Sequence, residues 1–153
     1  MTGTMGAGRY RTLACGCMAP ADAARGAGGG GAVRPHRIDV HHHVYPPKWF
    51  AAKRDLITST SDLPPAFMLE WTPARAVEEM DKNGIAAGMA SLANPGVWYG
   101  DNAAARQLAR ECNEYAAKMM QDYPARFGMF ASLPALDVDA TLKEIEYSLD
   151  VLK

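Results

Sequence analysis

The chain has 153 residues, 48% of them apolar and 22% charged, with a formal net charge of −1 at neutral pH. That is the balance of a soluble globular domain with enough residues to build one core. It lacks the basic surplus that nucleic acid or an anionic membrane would attract, and no run of 18 apolar residues could cross a bilayer. Nucleic-acid and membrane partners are therefore set aside. The three cysteines, Cys15, Cys17 and Cys112, make no disulfide framework. Cys15-Gly16-Cys17 lacks the second pair that a structural zinc needs.

Residues 1–35 read as a disordered leader. "GAGGGGAV", Gly26 to Val33, cannot bury enough surface to offset its ordering entropy. The stretch before it has the outline of a signal peptide with almost no hydrophobic region, and Tyr10 separates Arg9 from Arg11, so no twin-arginine pair exists. A cytoplasmic location is expected. The folded domain is expected over residues 36–153.

Three β-α units follow in order. "RIDV" is a short β-branched run ending in "HHH". After a loop, Thr72 caps a helix, Pro73 suits its first turn and Gly84 its end, with Ala76, Val77 and Met80 in one apolar stripe. "IAAGMASL", Ile85 to Leu92, is apolar throughout, as a strand covered on both faces should be. "NPG" breaks it, and Asp101 or Asn102 opens a long helix to about Tyr123, with Leu108, Cys112, Tyr115, Ala116 and Met119 on its apolar face. Arg110 and Asn113 on that helix suit ion pairing and helix-to-strand hydrogen bonding. "RFGMFASL", Arg126 to Leu133, reads as a third strand. Asp137 or Asp139 then caps a third helix with a stripe of Leu142, Ile145, Leu149 and Leu152. Strands alternating with helices argue for a parallel sheet in an α/β fold.

On a strand, alternate side chains share a face. His41 and His43 therefore point one way, and His42 points the other, toward the surrounding helices. Two imidazoles so placed can grip one metal ion. Asp39 shares their parity and is expected behind them as their hydrogen-bond partner. Ligands of parallel α/β sheets bind at the carboxyl ends of strands, where this pair sits. The competing reading is a polar loop with incidental histidines. Ser91 and Ser132 have no base nearby in sequence, which leaves a serine nucleophile without an activator.

Together, "RIDVHHHVYPP", "MDKNGI", "NPGVW", "RFGMFASLP" and "EIEYSLD" resemble the start of the amidohydrolase-2 family, in the branch of aminocarboxymuconate-semialdehyde and γ-resorcylate decarboxylases. The resemblance covers residues 36–153. It implies the first three β-α units of a (β/α)8 TIM barrel with a mononuclear divalent metal at its mouth, zinc with manganese as the alternative. His41 and His43 would be metal ligands from the first strand. Further ligands are implied on later strands, yet no histidine follows His43. The implied activity is decarboxylation of an aromatic or unsaturated carboxylic acid, a small-molecule partner. Hydrolysis of C–N or C–O bonds by a metal-bound water is the alternative.

In the loop after the second strand, Trp98 could stack on an aromatic acid or simply pack the loop. Asn94 could bond the substrate or cap its own turn. A full barrel takes ~250 residues. The chain is thus expected to be a fragment, catalytically inactive as it stands. Its bare sheet face and unpaired edges leave association with a second copy open. Each aliphatic side chain without cover forfeits about 1.5–3 kcal/mol.

Overall fold

The computed structural model describes residues 37–60 and 65–153; the leader, Cys15, Cys17 and His36 lie outside them. Three strands, β1 (Arg37–Val44), β2 (Ile85–Leu92) and β3 (Phe127–Met129), form one parallel sheet in the order β1-β2-β3. Each strand pairs with the next in sequence, so each connection must cross over through a helix.

Between β1 and β2 the chain makes three short helices, α1 (Pro47–Ala52), α2 (Arg54–Thr60) and α3 (Pro65–Leu69), and then α4 (Pro73–Lys82). The first three stand where the sequence predicts a loop. Helix α5 (Asn102–Asp122) joins β2 to β3, and α6 (Val138–Glu146) follows β3 and runs on as a π-helical turn, Tyr147–Leu152.

The caps are where local chemistry puts them. The Thr72 hydroxyl accepts from the Arg75 amide at 3.2 Å, the Asp101 carboxylate from Ala104 at 2.6 Å and the Asp137 carboxylate from Ala140 at 3.0 Å. Each satisfies an amide that the first helical turn leaves without a partner. Gly84 turns the chain out of α4 at φ +63°, where a side chain would be strained.

Two apolar clusters hold the layers together. Val44, Ala76, Met80, Ala90, Met119 and Phe127 join the sheet to α4 and α5. Tyr45, Trp49, Ile57, Met68, Val97, Leu108 and Cys112 join the loops beyond the strands' carboxyl ends to α5. There the Gly96 carbonyl accepts from the Trp49 indole at 2.6 Å and the Tyr99 hydroxyl at 2.8 Å, tying the first loop to the second.

Two expectations fail. The third strand is not eight residues long. After Met129 one ladder bond remains, from the Phe130 amide to the Ala90 carbonyl, and the chain leaves the sheet. Asn113 of α5 then takes over the role of a neighbouring strand: its carboxamide accepts from the Ser132 amide at 2.7 Å and donates to the Ser132 carbonyl at 2.9 Å.

The stripe on α6 is only partly covered. Leu142 and Leu149 are 56% and 69% exposed and Ile145 and Leu152 half-buried, while Glu144 is buried. Helix α6 is rotated so that Glu144 meets Arg110 at 2.9 Å and the Asn113 carboxamide at 2.9 Å. A buried carboxylate needs such partners. With Glu144 turned inward, Leu142 and Leu149 face outward. The Arg110 guanidinium also stacks on the Tyr147 ring at 3.4 Å.

Candidate metal centre

The first strand does not alternate strictly. Asp39 pairs with Gly88 and His42 with Ala90, so Val40 and His41 together oppose the single residue Met89. This β-bulge changes which side chains share a face. His42 and Val44 are buried: Val44 lies in the cluster with α4 and α5, and the His42 ring lies 5.9 Å from that of Phe127 in the same cluster. Ile38 and Val40, exposed at 63% and 69%, lie on the opposite, open face.

His41 and His43 pack edge to face, with ring centroids 5.1 Å apart and planes at 86°. His42 points away from them, as alternation requires. The expected place of Asp39, however, is corrected. Its Oδ2 lies 3.2 Å from His42 Nδ1, and its Oδ1 accepts from the His41 amide at 3.0 Å. The extra residue between Asp39 and His42 carries the carboxylate to the helix-facing side.

His43 Nδ1 lies 3.4 Å from the carbonyl of Ser91, its cross-strand neighbour, and 3.4 Å from the Ser91 hydroxyl. An Nδ1–H donated to that carbonyl leaves Nε2 with its lone pair exposed for an ion. Burial lowers the His43 pKa below the ordinary histidine value, against the raising effect of the Ser91 bond. The imidazole thus stays neutral, the form a metal requires.

The donor set fits a divalent ion as far as it goes. With metal–nitrogen bonds of ~2.0–2.1 Å, two imidazoles on one tetrahedral ion would hold their centroids about 5 Å apart. The observed spacing of 5.1 Å matches. A catalytic site usually has three protein ligands. Among the described residues no cluster of three or more His, Cys, Asp or Glu side chains forms one; His41 and His43 are brought together as a pair.

The other two candidates lie in the loop after β2. Asn94 is exposed in the turn that Gly96 completes at φ +80°. Trp98 is 44% exposed, and its indole donates to Asn102 at 2.9 Å, at the start of α5. No helix among the described residues is long and apolar enough to cross a membrane. Ser91, set aside as a nucleophile, is the residue that sequence reasoning undervalued. Its signal is cross-strand: it stands opposite His43 once β1 and β2 are paired.

A parallel three-stranded α/β sheet with its strands joined through helices is the arrangement of part of a β/α barrel. The chain belongs to the amidohydrolase family, which matches over residues 38–153. It is 39% identical over 121 residues to decarboxylase yanB of Aspergillus niger, covering 76% of this chain and 32% of that one. It is 39% identical over 119 residues to the 6-methylsalicylic acid decarboxylase acuB of Aspergillus aculeatus, covering 76% and 35%. Among solved structures it resembles a dihydroxybenzoic acid decarboxylase from Polaromonas sp. JS666 with bound manganese and the inhibitor 2-nitroresorcinol. That match has a TM-score of 0.63 and 25% identity, and covers 76% of this chain and 35% of that one. The chain thus spans about a third of the length of the curated relatives it matches.

Proposed function

We propose that this chain supplies the first-strand half of the metal site of an aromatic-acid decarboxylase, with His41 and His43 as ligands. The observation that carries the reading is the imidazole pair: two rings 5.1 Å apart, one with its Nδ1 turned to a backbone carbonyl. The names of the relatives point the same way, and so does the manganese in one of them.

Bound there, a divalent ion would act as a Lewis acid on an oxygen of the substrate. Zinc is the ion proposed, because imidazole donors suit it better than the harder manganese. The protein's own contribution is to keep the His43 imidazole neutral and to hold the His41 ring edge to face beside it. The exposed Trp98 indole would offer a stacking face to an aromatic acid, and Asn94 a carboxamide to its polar groups. Covering the open sheet face and completing the ligand set would fall to further strands of a barrel.

The test replaces the matching segment of the Aspergillus aculeatus 6-methylsalicylic acid decarboxylase with residues 37–153. The chimera should release carbon dioxide from 6-methylsalicylate. His41→Ala and His43→Ala should each reduce release to background and lower bound zinc measured by atomic absorption. A folded chimera that keeps its activity in both variants would refute the assignment.

A further inference from the structure

We propose that Asp39 and His42 are positioning residues: a carboxylate–imidazole clip on the helix-facing side of β1 that holds its bulge and so sets the aim of His41 and His43. The inference deepens the metal reading above and rests on it.

Strict alternation would leave Asp39 beside the two ligands. The bulge at Val40–His41 moves it to the far face, where one oxygen acts on the bulge itself and the other on the residue that follows it. Oδ1 accepts the His41 amide at 3.0 Å. Oδ2 holds His42 Nδ1 at 3.2 Å, with the side chains of His42 and Asp39 only 6% and 14% exposed.

His42 is wedged in turn. A Cβ added at Gly88 would stand 3.0 Å from its Cγ and 3.2 Å from its Nδ1, so glycine makes the room that the imidazole occupies. The far side of the ring lies against Phe127. His42 Nε2 is buried without a hydrogen-bond partner. A ring held for its own solvation would not strand a nitrogen in this way. What the ring does satisfy is Asp39, and Asp39 fixes the backbone of a proposed ligand. Bulges recur where a strand must re-aim a side chain at a site.

The experiment uses the full chain loaded with Co2+, a spectroscopic stand-in for zinc, with Asp39→Ala, Asp39→Asn, His42→Phe and the Asp39→Ala/His42→Phe double variant. Affinity is read by titration and ligand geometry by the visible absorption band. Asp39→Ala and His42→Phe should each lower Co2+ affinity about 10–100-fold, the usual cost of losing a partner behind a ligand. Both should also weaken and shift the band. Asp39→Asn keeps an oxygen for the His41 amide and should stay within about threefold of the parent. The double variant should be no worse than either single one, because the two residues act as one unit.

A purely structural role would lower the melting temperature and leave the band unchanged in the metal-bound form, which would overturn the proposal. So would additive losses in the double variant. Metal-free hydrogen exchange keeps the two claims apart. If the parent chain binds no Co2+, or His41→Ala/His43→Ala binds it equally well, the metal reading fails. The clip is then judged on the His41 amide, which should exchange faster in Asp39→Ala than in the parent; equal protection in both would refute the clip on its own.

Discussion

Replacing Asn113 with alanine should cost this chain a large part of its stability. Asn113 is 4% exposed, and its side chain makes three short bonds: to the Ser132 amide at 2.7 Å, to the Ser132 carbonyl at 2.9 Å and to Glu144 at 2.9 Å. Alanine leaves the two backbone groups of buried Ser132 without partners, at about 1–3 kcal/mol each. Glu144 keeps Arg110, so its loss is the smallest of the three. Water entering the vacated space recovers part of the cost, and a net loss of about 3 kcal/mol is expected. Domains of this size are stable by only ~5–15 kcal/mol, and a sheet with one uncovered face belongs at the low end. With a urea m-value of about 1–3 kcal/mol/M, the unfolding midpoint followed by circular dichroism should fall by about 1–3 M. Asn113→Leu fills the space without restoring the bonds and should fall nearly as far. The Ser132 amide should exchange faster in both variants. A midpoint within about 0.2 M of the parent would refute the view that this carboxamide stands in for a missing strand.

Burial pushes the Cys112 thiol up to about 12. At pH 8 iodoacetamide should therefore spare Cys112 in the folded chain and label it in urea, as read by peptide mass mapping; equal labelling in both states would contradict its place in the core. The pKa of His43 is depressed by burial, so between its folded value and the unfolded 6.5 the unfolded chain binds more protons. That residue's contribution to stability is whole above pH 6.5 and is lost as pH falls below it, discounted because the ring is only half-buried. The drop in urea midpoint from pH 7.5 to 5.5 should be smaller in His43→Gln than in the parent, and an equal drop would count against the assignment. Gly88→Ala should cost about 1–3 kcal/mol by crowding His42. It should also expose the His41 amide to exchange; a thermal melt that does not move would show that the strands part easily there.

What the sequence made legible is local. Thr72, Asp101 and Asp137 cap the helices that their neighbours' periodicity announces, since a cap bond spans three residues and needs no tertiary partner. The length of β3 was not legible. "RFGMFASL" carries strand chemistry to its end, but a strand lasts only while a neighbour pairs with it, and beyond Phe130 the partner is a side chain from α5. On α6 the 3.6-residue period showed that the helix has an apolar face without showing which face turns inward. The buried glutamate decides that through Arg110 and Asn113, two residues whose pairing roles the helix pattern did suggest.

The site divides along the same line. The identity of the pair, His41 and His43, is written in consecutive residues, and their shared direction survives because the segment from His41 to Val44 alternates normally. Asp39 lies on the other side of the bulge, where counting by twos fails. The bulge is a property of two strands: Arg37 opposes Ile85, Asp39 opposes Gly88 and His42 opposes Ala90, so the register slips by one and then recovers. Nothing within "RIDVHHHV" encodes that slip. Part of its cause lies in β2, where Gly88 leaves the volume that His42 fills and Ser91 presents the carbonyl that His43 faces. The first strand therefore names the two proposed ligands, and the second strand determines how their rings are held.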